Sequence, residues 1–408
     1  MRVSFFVNNY APSRGGVQEH IGRVAEGLVA RHGMEVDVLT SDALLSPGGR
    51  EPGWIDSAEE TVRGVEVHRR PVARRFHSVL RMVRRLGRRA GLNRHRGVTL
   101  LSSGPLGCRY AIAALQLSRR SDVVVGVTGP TASLWYASHL ASGTPTVAMP
   151  LLHLDKQVRP WVVRAVKSAD RVATNTSLER RTLCELGVDP GKVTVLSPGC
   201  DLSERIEPDV ARRHLGLDRL PTVGFIGRLA AHKGVDVLIE AMRVVWRELP
   251  DVSLLIAGPE AGVDVGRLLS PLSDADRSRV RVWGEYTDGE KPTLFAACDL
   301  VVHPSRSESF GMVMLEAWSA SRPVVVADIP VTRELVHNGV DGVLVPLDDS
   351  RALAESVVAL MRSPQDRERI GAAGRARAEA EFTWPSIVDG WAELLRSTVN
   401  ESDTVWCS

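Results

Sequence analysis

At 408 residues, 44% apolar and 25% charged, the chain is too long for one ordinary core and has the make-up of a globular protein with two domains of about 200 residues each. A net charge of +2 excludes a bulk polyelectrolyte as its general partner, and five scattered cysteines with no CxxC pair exclude a disulfide framework or zinc site and point to a reducing, cytoplasmic compartment. The opening MRVSFFVNNYAP turns polar too soon for a signal peptide, and no uncharged apolar run reaches the ~18 residues of a spanning helix.

Short Val/Ile/Leu runs alternate with helical patterns from end to end, the mark of parallel α/β layers. In the first half, strands are expected at 3–7, 36–39, 65–68, 123–127, 146–149, 172–174 and 193–196. The first runs into NNYAPSRGGVQEHIGRVAEGL, where Gly15 and Gly16 precede a helix with Val17, Ile21, Val24 and Leu28 on its apolar side. Paired glycines let backbone amides approach a phosphate, and they also make a plain strand–helix turn. The pattern is not the G-x-G-x-x-G of a dinucleotide fold. His153 follows the apolar run 145–152, just past a strand end, as a site residue or a structural histidine.

Residues 67–121 hold 14 arginines and no Asp or Glu. Within them, RRFHSVLRMVRRLGRRAGL places Phe76, Val79, Leu80, Val83 and Leu86 on one helical face, with Arg74, Arg75, Arg81, Arg84, Arg85, Arg88 and Arg89 around the rest. A basic amphipathic helix over 74–89 suits peripheral association with an anionic membrane, a phosphorylated or lipid-pyrophosphate acceptor, or packing with acids elsewhere in the chain. The aromatic interleaving of a single-strand binder is missing, so nucleic acid is not expected as a partner.

The segment SPGCDLSERIEP, residues 197–208, is polar, contains Pro and Gly, lacks a helical period, and marks the join between halves. Strands follow at 223–226, 253–257, 280–283, 300–302, 324–326 and 343–345. In TVGFIGRLAAHKGVDVLIEAM, Gly227 ends a strand, Arg228 follows, and Lys233-Gly234 precede a helix with Val237, Leu238, Ala241, Val244 and Val245 apolar. Two cations across a strand–helix loop converge on one dianion, Arg as a fork and Lys as a mobile point charge; as loop cations, neither is expected to matter for folding. Lys233 is one of five lysines beside 46 arginines, so composition alone does not account for it. Asp274 and Asp276 form a DxD, but in the polar helical stretch LSDADRSR rather than after an apolar strand, so no metal site is expected there.

The richest stretch is HPSRSESFGMVMLEAWSASRPVVVAD, residues 303–328. Glu308 falls in the loop after an apolar strand. Glu316 falls inside a helix over 311–320, with Val313, Ala317 and Ala320 on one side. Ligands of open α/β sheets bind at the carboxyl ends of strands. The amides of Phe310, Gly311 and Met312 open the helix toward an anion. One loop thus offers a carboxylate for sugar hydroxyls, amides for phosphate and a second carboxylate for a ribose diol.

The pattern ExFGxxxxE before Arg-Pro-Val-Val-Val, with GRLxxxKG at residues 227–234, resembles the E-x7-E signature of bacterial family-4 retaining glycosyltransferases. The likeness runs over nearly the whole chain, strongest at 222–347 and weakest at 60–120. It implies the α/β GT-B fold, two Rossmann-like doubly wound domains facing across a cleft. Residues 1–200 would be the acceptor-side domain, 201–380 would bind the nucleotide sugar, and the helix in 381–408 would cross back to the first domain. It implies retaining transfer of a hexosyl unit from a UDP- or GDP-sugar to an acceptor hydroxyl, in envelope glycan, glycolipid or secondary-metabolite synthesis, with no cofactor and no essential metal. Arg228, Lys233 and the amides near Gly311 would meet the diphosphate, Glu308 the sugar hydroxyls, Glu316 the ribose and His153 the donor sugar. The loop of Gly15 and Gly16 would touch the diphosphate and the acceptor side. His232 stands where the family often has an acid. No carboxylate nucleophile is evident, which favours same-face attack assisted by the leaving phosphate. A catalytically silent GT-B partner subunit, or an epimerase or phosphorylase on that fold, are the rival readings. The intact Arg228, Lys233, Glu308 and Glu316 set speaks against the first, and the lack of a cofactor-lysine motif against a phosphorylase.

Overall fold

The computed structural model describes residues 1–44, 53–71, 107–128, 131–141, 143–153, 158–202, 206–217 and 220–406. The basic segment 74–89 lies outside them. The chain divides into two compact units, one of Met1–Ser46, Glu51–Ser197 and Trp384–Ser408, the other containing Pro198–Thr383.

In chain order the strands are β1 (Arg2–Phe6), β2 (Glu35–Ser41), β3 (Ala43–Leu44), β4 (Gly53–Trp54), β5 (Glu59–Val62), β6 (Val65–Arg70), β7 (Val123–Val127), β8 (Thr146–Met149), β9 (Arg171–Thr174) and β10 (Val193–Val195) in the first unit. The second unit has β11 (Thr222–Ile226), β12 (Ser253–Ala257), β13 (Val280–Gly284), β14 (Leu300–His303), β15 (Val324–Ala327) and β16 (Gly342–Val345). Every expected strand is present with ends shifted by a residue or two. The strands β3, β4 and β5 are not among those expected. The first two are a two-residue antiparallel pair, and β5 is a polar edge strand, EETV, exposed along most of its length and antiparallel to β6, with no apolar run to reveal it.

The first sheet has the order β10-β9-β8-β7-β1-β2-β6-β5 and is parallel but for β5. Its central strand β7 (VVVGV) is apolar on both faces because helices cover both sides, whereas β2 carries the buried Asp37 and β6 (VEVHRR) alternates. The chain builds outward from β1 through β2 to β6, then returns to β7 and builds the other way. The switch point therefore lies between β1 and β7, whose residues Val3 and Val123 are paired. Helix Gly16–His32 leaves the carboxyl end of β1 and buries Ile21, Val24, Ala25 and Leu28. Val17 is only half-buried, and His20 takes the expected apolar position beside Ile21. Helix Trp384–Trp406 belongs to this unit: Trp391 is fully buried 6.2 Å from Phe5, and Asp389 accepts from Arg31 and pairs with His32.

The second sheet is wholly parallel, in the order β13-β12-β11-β14-β15-β16. It also builds outward from its centre, here β11, and returns to β14, so its switch point lies between those two strands. Helix Val235–Glu248 packs beside Ser350–Arg362 on one face, burying Leu238, Ala241, Met242 and Val245. On the other face, helix Met312–Ser319 is two residues shorter than expected and buries Met314, Leu315, Ala317 and Trp318. The apolar side expected there, Val313, Ala317 and Ala320, is corrected: Val313 and Ala320 are only half-buried.

Candidate functional site

The loops that follow β11 and β14 meet at the switch point of the second unit. A short turn, Ala231–Lys233, ends in Gly234 at φ +73, and a Cβ there would lie 2.1 Å from the Pro304 carbonyl oxygen. Only glycine allows both that backbone and that approach. Arg306 ties the loops further. Its amide donates to the His232 carbonyl at 2.7 Å, and its guanidinium donates to Ala231 O, to both oxygens of Asp236, and to Asp348 after β16. Three strand-end loops are thereby held by one side chain.

This arrangement brings Lys233 onto Glu308, with Nζ 2.6 Å from Oε1. His303, the last residue of β14, places Nε2 2.7 Å from the same oxygen. Glu308 is 7% exposed and His303 1%. Burial pushes the Glu308 carboxyl up, but the charge of Lys233 and the hydrogen bond from His303 outweigh it and hold the group well below the usual carboxylate range. Both partners occupy Oε1, so Oε2 has no partner among the described residues. An ionised carboxylate accepts only, which suits that oxygen to sugar hydroxyls. The ammonium of Lys233 has three donors; one is spent on Glu308 and two remain for phosphate oxygens.

Phe310 and Gly311 are buried, and Met312 is half-buried. The Phe310 ring meets Phe382 edge-on at 6.2 Å, which fixes the loop just before the helix. Gly311 caps helix Met312–Ser319 at φ +98 with no side-chain capping bond. The Met314 amide donates to the Gly311 carbonyl at 3.0 Å, and among the described residues no side chain caps the Gly311 and Met312 amides, which suits those two to an anion. Glu316 lies on this helix with Oε1 2.8 Å from Nζ of Lys291, which also pairs with Asp288 at 3.2 Å. Arg228 is exposed, and its side chain has no partner among the described residues. Three residues of this site were not singled out from the sequence: His303, Arg306 and Lys291. The scarcity of lysine that marked Lys233 applies equally to Lys291. No signal local to the sequence marks Arg306, whose partners come from two other loops.

The expectation of Lys233 as a free loop cation is corrected: it is the counter-ion of a buried carboxylate. Asp274 and Asp276 open the short helix Asp274–Ser278, where Ser273 accepts from the Asp276 amide and Asp276 pairs with Arg279 at 2.7 Å.

In the first unit, Gly15 caps helix Gly16–His32, again with no side-chain cap, and Gly16 is exposed at its start. The loop before it is held by Arg69, 1% exposed, which donates to the Ala11 carbonyl at 2.8 Å and pairs with Glu60 at 2.6 Å. His153 is half-buried, four residues past the end of β8.

The family model for the glycosyl transferase 4-like domain matches residues 15–199, and that for group 1 glycosyl transferases matches residues 209–377. The chain is 35% identical over 245 residues to a D-inositol 3-phosphate glycosyltransferase of Segniliparus rotundus, covering 57% of this chain and 54% of that protein. It is 36% identical over 243 residues to the protein of that name from Thermobispora bispora, covering 57% and 56%. The matched part is thus about half the length of these relatives. Among solved structures it resembles HepE of Anabaena in complex with UDP and glucose, with a TM-score of 0.72 at 22% identity over 97% of this chain and all of that one. It also resembles WaaG, a glycosyltransferase involved in lipopolysaccharide biosynthesis, with a TM-score of 0.69 at 20% identity over 96% and 99%. Both likenesses show the fold, GT-B. The chain belongs to the glycosyltransferase family built from a 4-like N-terminal domain and a group 1 C-terminal domain.

Proposed function

We propose that this protein is a retaining glycosyltransferase that moves a hexosyl unit from a UDP- or GDP-linked sugar to an acceptor hydroxyl without an essential metal. The observation that carries the proposal is the buried, ionised Glu308, held on one oxygen by Lys233 and His303 at the sheet's switch point. Departure of a nucleoside diphosphate leaves growing negative charge, and preorganised donors aimed at it lower the barrier. Lys233, Arg228 and the open amides of Gly311 and Met312 supply those donors. The free oxygen of Glu308 orients the sugar, Glu316 accepts from the ribose, and His153 acts on the donor sugar. No carboxylate is assigned as a nucleophile, so the acceptor attacks the face that the diphosphate leaves. The UDP in the HepE complex supports a uridine donor as the first to try. The names of the two relatives support a phosphorylated polyol as the first acceptor.

The test is incubation with UDP- and GDP-hexoses, with and without inositol phosphate, followed by mass spectrometry. Transfer gives free nucleoside diphosphate and a glycoside, in EDTA as well as without it. Recovery of an epimer, of a sugar phosphate, or of unchanged donor that nevertheless binds would replace this reading by one of its rivals.

A further inference from the structure

We infer that Glu179 is a positioning residue for His153, acting through the backbone: its two oxygens hold the amides of Leu152 and Asn175, in the segments that follow β8 and β9, and so fix the turn that carries the histidine. The inference rests on the proposed part of His153 in the reaction.

Glu179 lies in the first turn of helix Ser177–Glu185, where Thr176 accepts from the Glu179 amide at 3.0 Å. A glutamate at this position ordinarily turns back to the amide of the capping residue itself. Here Oε2 accepts from the Asn175 amide at 3.1 Å, and Oε1 crosses to the Leu152 amide at 2.8 Å, next to His153. The carboxylate therefore bridges the segments that follow two adjacent parallel strands, paired at Val147 and Arg171. The turn it holds is strained. Leu151 sits at φ +52, a left-handed conformation that a branched side chain adopts only when its surroundings force it. Glu179 is 2% exposed, and no cation pairs with it among the described residues. A buried carboxyl without a cation is costly, and what it does here is to satisfy two backbone donors and pin that turn.

The experiment compares Glu179→Gln, His153→Ala and the double variant at pH 8, where the carboxyl, pushed up to about 7 by burial, is ionised. Glutamine fills the same volume but turns an NH2 group toward one of the two amide donors. If the two acceptor oxygens matter, Glu179→Gln lowers kcat by about tenfold or more and leaves UDP affinity unchanged, because a small misplacement of a reacting group is enough to slow the step. The double variant is then no slower than His153→Ala, since both changes remove one contribution. A second readout does not need turnover. In spectra of 15N-histidine-labelled protein, Glu179→Gln shifts the resonance that His153→Ala deletes, and leaves the other histidines in place. An unshifted His153 resonance overturns the inference even if no donor is turned over. Wild-type kcat in Glu179→Gln, wild-type kcat in His153→Ala, or full additivity in the double variant overturns it as well. If the histidine resonance shifts as expected but the wild-type protein transfers no sugar, the positioning stands and the proposed function falls.

Discussion

Lys233 holds a buried carboxylate in place, and in the proposed reaction its remaining donors meet the leaving group. Lys233→Ala should therefore reduce turnover by about 100-fold, the scale of losing one preorganised donor. It should also destabilise the protein by about 3 kcal/mol, because Glu308 is left buried without its counter-ion. Arg228→Ala should reduce turnover to a similar degree and leave the urea midpoint unchanged, because its side chain is exposed. Equal stability of the two variants would show that the Lys233–Glu308 pair contributes nothing to folding. Two buried carboxyls give opposite pH behaviour. Glu308 is held below the usual range, so its stabilising contribution is present above an unfolded value of 4.5 and lost as pH falls through the lower folded value. Glu179 is raised to about 7, so stability is full below 4.5 and falls as pH rises to about 7. Urea unfolding from pH 4 to 8 should show wild type losing stability relative to Glu179→Gln across that interval. A constant difference between the two would mean that Glu179 does not titrate there.

Among the elements, the turn at Gly234 binds the two loops of the second unit to each other. Gly234→Ala puts a side chain at φ +73 and against the Pro304 carbonyl, so the loops must part. The expected cost is ~1–3 kcal/mol in stability. With it should come about a tenfold loss in UDP affinity, equal to ~1.4 kcal/mol, measured by calorimetry. Wild-type affinity in this variant would mean that the loop contact does not shape the nucleotide site. Helix Met312–Ser319 shows why its buried side was misjudged. Trp318 donates to the Asp341 carbonyl at 2.7 Å and is covered by helix Pro364–Glu381, where a Cβ on Gly374 would lie 2.2 Å from the Trp318 ring. The helix is packed by a second helix as well as by the sheet. A one-sided pattern therefore does not describe it, and no local period reveals a cover more than fifty residues away.

For the whole molecule, central strand positions were legible because a strand covered on both faces is largely apolar, as Val123–Val127 is and as Leu300–Val302 is ahead of the terminal His303. Polar β5 escaped for the converse reason. Sheet order was not legible, since nothing local to β1 says that it pairs with β7. The residue types of the site could be read from its motifs. The contact of Lys233 with Glu308 could not, because it joins positions 75 apart and exists only once β11 and β14 are neighbours. The return of helix Trp384–Trp406 to the first unit has a testable weight. Trp391→Ala should cost ~3–5 kcal/mol in urea unfolding and leave UDP binding intact, and loss of UDP binding in folded protein would contradict the assignment of the nucleotide to the second unit. The proposed retaining transfer through the Lys233–Glu308 pair can be followed at the anomeric proton by NMR in wild type and Lys233→Ala with UDP-hexose and acceptor. A glycoside with the donor's anomeric configuration is expected, formed about 100-fold more slowly by the variant. An inverted product, or equal rates in the two proteins, would contradict the proposal.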